Sequence, residues 1–364
     1  MTSRILAVRS AFPAHRYPQD ELARQYAAIA QGLRPSQRVL LERLYANAEV
    51  ATRHTVLPVD EYAAFAELAD TGGAALANDR YIEEATALGE RALRSALASA
   101  GLEPAAVDLL IVTSVTGVAV PSLDVRLIPR LGLRPDIKRL PVFGLGCVAG
   151  AAGLARLHDY LLAWPGHVAA LLSVELCTLT VPRAQVTTAD LVASALFGDG
   201  AAAVVATGEQ LAERPRPARR LPRVIATRSE VYPDSVDALG WRLGADGFRI
   251  VLTAELAEVV EGRLNGSVTA FLGEHGLTLD DIGSWICHPG GPKVLDAAQR
   301  ALKLPDSALA TSRRSLSEAG NMSSVSVLHI LELTADGERP APGTVGLMIG
   351  LGPGVSAELL LLRW

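Results

Sequence analysis

Disulfide pairs, aromatic side chains and long apolar runs are what this chain has least of, and each shortage excludes something. Its three cysteines, Cys147, Cys177 and Cys287, are an odd and sparse set for 364 residues. They leave no room for a disulfide framework and fit a reducing compartment. No apolar run reaches about 18 residues without a charge or a Gly or Pro break, so no transmembrane helix and no stable membrane insertion are expected. The opening residues Met1 to Arg9 lack the apolar segment of a signal peptide, which points to the cytoplasm. A basic excess is missing too: 34 Lys and Arg stand against 39 Asp and Glu, a formal charge of -5. That balance argues against a nucleic-acid partner. What the chain has in quantity is apolar surface, with 49% hydrophobic and 20% charged residues. A large core can be buried, and global disorder is excluded. The length suits two ordinary domains or one large duplicated unit.

Apolar strands alternating with helices run through the whole chain. Ile5–Val8, Leu109–Thr113 and Val168–Val174 are expected strands, with helices over Tyr81–Ala100 and within Gln19–Ala48, the latter broken at Pro35. Gly101 is expected to close the Tyr81–Ala100 helix. Residues 209–223 are rich in Arg and Pro and form an expected connector between an N-terminal half, 1–208, and a C-terminal half, 224–364. The halves repeat one another. Ser99–Thr113 and Glu274–His288 each pass from a helix end through Gly-Leu to an apolar strand. Cys147 lies 45 residues past Leu102, and Asn321 lies 44 past Leu277. Such long-range self-similarity suggests a duplicated α/β unit whose sheets are covered on both faces.

Three stretches carry candidate chemistry. Val142-Phe143-Gly144-Leu145-Gly146-Cys147-Val148 places a thiol at a strand-to-helix junction. A helix N-terminus favours thiolate and is expected to lower the pKa of Cys147, although a small buried cysteine would read the same way. Trp285–Pro292 ends a strand with His288 and a Pro-Gly-Gly turn, and Gly320–Ser324 opens a helix at Asn321. A satisfied structural histidine and an Asn N-cap are the plain alternatives. If the halves are duplicated, Cys147 and Asn321 occupy equivalent helix starts, and all three side chains can share one cleft. Cysteine then supplies an acyl-accepting nucleophile, and the imidazole and carboxamide hold a developing oxyanion. That chemistry calls for no metal and no cofactor.

The motifs Gly146-Cys147-Val148-Ala149-Gly150, Leu196-Phe197-Gly198-Asp199-Gly200, His288-Pro289-Gly290-Gly291-Pro292, Gly320-Asn321-Met322-Ser323-Ser324 and Gly350-Leu351-Gly352-Pro353-Gly354 occur in family order. With them the chain resembles the type III polyketide synthases, the chalcone-synthase-like branch of the thiolase superfamily, over nearly its whole length. The resemblance implies an α/β fold of five αβαβα layers, a homodimer, and acyl-CoA and malonyl-CoA as substrates. It implies that Cys147 carries the growing chain while His288 and Asn321 stabilise the enolate left by malonyl decarboxylation. It further implies substrate contacts at Phe197, Cys177, Glu175, Thr180, Ile250, Ser323, Gly350, Gly352, Pro353 and Gly354. Arg53, in a small basic spot of the kind usually found on a solvated surface, is the match for coenzyme A recognition.

Two departures from the family pattern bear on the product. Ile250 replaces a second gatekeeper phenylalanine. Val115 replaces a threonine that, with Glu175 and Ser323, forms the network linked to aldol closure in some members. The segment Ala238–Leu252 resembles bacterial members making alkylpyrones and alkylresorcinols, and a small residue at Cys177 there admits a long acyl chain. A medium- or long-chain fatty acyl starter is therefore expected. The competing readings are an initiating ketoacyl synthase of fatty-acid synthesis and a non-catalytic dimerisation scaffold.

Overall fold

Apolar residues at every position of a strand, rather than at alternate ones, need cover on both faces, and the fold supplies it. The computed structural model describes residues 2–30, 32–62, 72–180, 186–211, 221–244, 247–253, 255–337 and 339–364. Its strands are β1 Ser3–Ala11, β2 His15–Pro18, β3 Thr52–Thr55, β4 Leu109–Thr113, β5 Lys138–Val142, β6 Val168–Leu176, β7 Asp199–Gly208, β8 Arg223–Val231, β9 Leu239–Gly244, β10 Gly247–Leu252, β11 Ile282–Cys287, β12 Val345–Gly352 and β13 Ser356–Arg363. Nine of them form one sheet in the order β11-β12-β13-β8-β1-β7-β6-β4-β5, and β2–β3 and β9–β10 are separate pairs.

The duplication is visible in this order. β4 and β6 are parallel, β6 and β7 antiparallel, and β7 and β1 antiparallel. In the second half β11 and β12 are parallel, β12 and β13 antiparallel, and β13 and β8 antiparallel. The half-sheets meet where β1 touches β8 at Ser3–Val224 and Arg4–Arg223. The edge strand β5 has no counterpart among the described residues of the second half, and it tolerates Pro141 because an edge needs no donor there.

Side chains alternate between layers. Leu110, Val112, Ala170, Leu172, Ala203 and Val205 pack outward with the helices Gly73–Ala100 and Leu123–Leu131. Ile111, Leu171, Ala202 and Val204 point inward onto two central helices, Ala149–Ala163 and Ser324–Asp336. Met348, Leu360 and Leu362 close on the same helices from the second half-sheet. Leu347, Ile349, Leu359 and Leu361 face out towards the helices Glu255–Glu274 and Pro292–Leu302. The result is helix, sheet, paired central helices, sheet, helix.

Several expectations shift in extent. The helix expected from Tyr81 begins at Gly73, because the Ala-rich turns before Tyr81 propagate helix without a strong apolar stripe. It ends at Gly101, which adopts φ 65°. The 19–48 region is two helices, Gln19–Ile29 and Pro35–Ala46, the second starting on its proline. Of the expected connector, residues 212–220 lie outside the described residues. Among the described residues no helix is long and apolar enough to cross a membrane.

Candidate active site

Cys147 sits in a one-turn 3-10 segment, Gly146–Val148, between β5 and the central helix Ala149–Ala163. Gly146 takes φ 56°, and a Cβ there would fall 2.7 Å from the ring of Pro353. Across this contact the 350–354 segment forms a wall against the nucleophile turn. A Cβ on Gly352 would meet Val148 N at 2.7 Å, and one on Gly350 would meet Ala151 Cβ at 2.6 Å. Gly354 lies just beyond, with its carbonyl accepting from Ser235 Oγ at 3.0 Å.

Burial works against the expected thiolate. Burial pushes the Cys147 thiol up to about 12, the nearby Glu175 carboxylate adds to the rise, and a hydrogen bond with the Ser323 side chain pulls only part of it back. Desolvation outweighs the helix dipole because the sulfur is closed off from water, at 9% exposure.

Asn321 is held from both sides. Its N–H donates to Leu196 O at 2.8 Å, and its carbonyl accepts from Gly198 N at 3.0 Å, which ties it to the Phe197 turn. Its side-chain Nδ2 donates to Gly290 O at 3.2 Å, and Oδ1 accepts from Ser323 N at 2.8 Å. It is therefore not the N-cap of the helix; Ser323, at φ 50°, stands there. His288 follows β11, and its N–H donates to Ile349 O at 2.9 Å. Neither ring nitrogen of this buried histidine has a hydrogen-bond partner among the described residues, and burial pulls its pKa down to about 3. Ser323 thus touches both Cys147 and Asn321, while Asn321 reaches the His288 turn through Gly290. Cys147 and His288 make no direct hydrogen bond, and burial disfavours the charged form of each.

A cavity of about 890 Å³, its mouth included, is lined by Cys177, Thr180, Phe197, Ile250 and Arg53. Sequence reasoning missed its other wall, where Leu22 and Tyr26 come from the helix Gln19–Ile29, along with Tyr45, Tyr62, Thr178 and Trp241. The i, i+4 spacing of Leu22 and Tyr26 was the available signal, and Trp241 lies inside the 238–252 segment already singled out. Cys177 is 2% exposed; burial raises its thiol pKa well above the ordinary value, and Glu175, Asp199 and Cys147 lie near enough to add to the rise.

Two expected assignments are corrected. Arg53 is not on a solvated surface: it is 4% exposed, and its Nη1 donates to Phe197 O at 2.6 Å and its Nε to Gln19 Oε1 at 3.0 Å. Strand β3 carries alternate residues inward, and position 53 is one of them. Glu175 is bound by Ser324, not Ser323: Ser324 Oγ donates to Oε1 at 2.6 Å. Oε2 accepts from Thr116 Oγ1 at 2.9 Å, Val115 N at 3.0 Å and Ser114 Oγ at 3.3 Å. Val115 gives Glu175 only its backbone N–H, and the hydroxyls on that side come from its two neighbours. Burial lifts this carboxyl to about 7 despite those donors.

Comparison with known proteins places this geometry. Residues 2–210 match the N-terminal domain of the chalcone and stilbene synthases, and residues 223–364 match the C-terminal domain. A 1,3,6,8-tetrahydroxynaphthalene synthase of Streptomyces peucetius subsp. caesius is 54% identical over 361 residues, covering 99% of this chain and 93% of the relative. An alpha-pyrone synthesis polyketide synthase-like protein of Mycobacterium tuberculosis is 30% identical over 332 residues, covering 90% and 83%. The crystal structure of the tetrahydroxynaphthalene synthase of Streptomyces coelicolor superposes with a TM-score of 0.89 at 31% identity, covering 99% of each chain. These matches set aside the ketoacyl synthase and scaffold readings. The chain belongs to the chalcone and stilbene synthase family and is a type III polyketide synthase, an acyltransferase of thiolase-like fold.

Proposed function

We propose that this synthase condenses malonyl units from coenzyme A thioesters and closes the chain to a polyhydroxynaphthalene. The observation that carries the reading is the 54% identity, over 99% of the chain, to a tetrahydroxynaphthalene synthase. A naphthalene hydroxylated at positions 1, 3, 6 and 8 has oxygen on alternate carbons and no carbon outside its rings, the pattern left by two-carbon extension units throughout. The expected alkylpyrone or alkylresorcinol draws its support from the 30% relative named for alpha-pyrone synthesis, and a fatty acyl starter is the second reading.

In this reading Cys147 takes the acyl group as a thioester and leaves as thiolate when that group is passed to the attacking carbon. The thiol must give up its proton as the thioester arrives, and the ring nitrogens of His288, with no hydrogen-bond partner among the described residues, are the candidate base. Decarboxylation of malonyl thioester leaves an enolate oxygen. The second Nδ2 proton of Asn321 and one N–H of a neutral His288 are donors suited to it, since neither brings a mobile charge into a dry site. The enolate carbon then attacks the acyl-Cys147 thioester. No cofactor or metal enters any step. The protein acts as a homodimer, a reading supported by exposed Val118, Val120, Leu140, Phe143 and Leu145 around the edge strand β5.

The test is incubation with malonyl-CoA alone, followed by mass spectrometry. A ten-carbon tetrahydroxylated aromatic is expected, lost in Cys147→Ala. Products that always retain a fatty acyl starter would move the assignment to the alkylpyrone class.

A further inference from the structure

Val115 removes one hydroxyl from the Glu175 network, yet a second buried carboxylate sends a hydroxyl relay to the cavity. Asp199 opens β7 and is wholly buried. Its Oδ1 accepts from Thr178 N at 2.8 Å. Its Oδ2 accepts from Val56 N at 2.7 Å and from Thr178 Oγ1 at 2.5 Å. Because the Thr178 hydroxyl donates to Asp199, its lone pairs face the Tyr62 hydroxyl, 2.5 Å away. Leu57 N donates to that phenol at 3.3 Å. Both Tyr62 and Thr178 line the same cavity wall as Cys177, Thr180 and Phe197. Holding the backbone at Val56 and Thr178 needs only the two N–H bonds. It does not need a chain of hydroxyls that includes a cavity-lining phenol.

We propose that Tyr62 is a catalytic acid–base residue for carbon–carbon ring closure of the poly-β-ketone, connected through Thr178 to Asp199. The inference rests on the polyhydroxynaphthalene reading above. A methylene carbon between two ketones loses its proton to the Tyr62 oxygen, whose own proton passes to Thr178 and that of Thr178 to Asp199. The enolate carbon forms a bond to a ketone carbon of the same chain, and the carbonyl π pair becomes an alkoxide. The proton returns along the relay to that alkoxide, so Asp199 ends as it began, and loss of water then aromatises the ring. Without this proton path an enol oxygen attacks the thioester instead, expelling the Cys147 thiolate and releasing a pyrone.

The experiment follows the ratio of aromatic product to pyrone formed from malonyl-CoA by the full chain. Tyr62→Phe is expected to lower that ratio by about tenfold or more, in keeping with the size of general acid–base contributions. Thr178→Val should act in the same direction, and Thr178→Ser should restore the ratio. If both products fall together in Tyr62→Phe and the ratio holds, the relay is only a structural tie and the inference is overturned. Should Tyr62→Phe not fold, the contrast between Thr178→Val and Thr178→Ser decides. A wild-type enzyme that makes lactones alone would overturn the naphthalene reading and this inference together, whereas an unchanged ratio in the variants would sink the relay only.

Discussion

Gly150 meets the backbone of Ser324 so closely that a Cβ at position 150 would fall 2.0 Å from the Ser324 carbonyl oxygen. Gly150 belongs to the central helix behind Cys147, and Ser324 opens the one behind Asn321. The distance between the Cys147 and Asn321 turns is therefore set by one missing methyl. Gly150→Ala must push the helices apart, and overpacking of this kind costs about 1–3 kcal/mol. The variant should unfold at lower urea and lose kcat more than it gains KM. Wild-type stability and turnover would contradict the contact.

The resting thiol makes a kinetic prediction. With burial holding Cys147 near 12, its alkylation by iodoacetamide in substrate-free enzyme should be slow at neutral pH and still rising above pH 10. A histidine held down to about 3 stays neutral from pH 5 upward, so no step near pH 6.5 is expected. Peptide mapping of the labelled cysteine across pH checks both points. A plateau reached by pH 8 would indicate a thiolate–imidazolium pair.

His329 lies on the central helix behind Asn321, its Nδ1 paired with Ser315 Oγ at 2.9 Å, and burial draws its pKa down to about 4. Its folded pKa is below the ordinary 6.5, so the unfolded chain takes up the proton first. The stability it contributes is present above 6.5 and is lost as pH falls towards 4, by roughly 3 kcal/mol at most. In His329→Gln that loss is removed, so the stability gap between wild type and variant should shrink over this range. Denaturant melts at pH 7 and pH 4.5 give the comparison; a gap that widens on acidification would rule the assignment out.

Cys177 is small where it lines the cavity, close to the nucleophile. Cys177→Phe should fill that space and shorten the accepted chain. Product masses from a panel of acyl-CoA starters would reveal this, and an unchanged chain preference would remove Cys177 from the list of size-setting residues.

The duplicated layering was legible beforehand because it is written in local signals. Gly-Leu helix ends, wholly apolar strands and the near-equal spacing to Cys147 and Asn321 all follow from covering a sheet twice. The motifs also named the candidate groups Cys147, His288 and Asn321. Charge and partnership were not legible in that way. Arg53 and His54 look alike as a basic pair, yet β3 turns one inward to 4% exposure and leaves the other partly open. Ser323 and Ser324 are adjacent, and only the turn at φ 50° decides which meets Cys147 and which meets Glu175.

Residue order alone determined the family, the two-half architecture and the trio of candidate side chains, since all of these rest on short-range pattern. Only the tertiary structure decided that burial raises the Cys147 thiol, that Ser324 holds the buried glutamate, and that a tyrosine from far upstream connects through Thr178 to Asp199. Desolvation and long-range contact set those outcomes, and neither quantity exists until the chain has closed on itself.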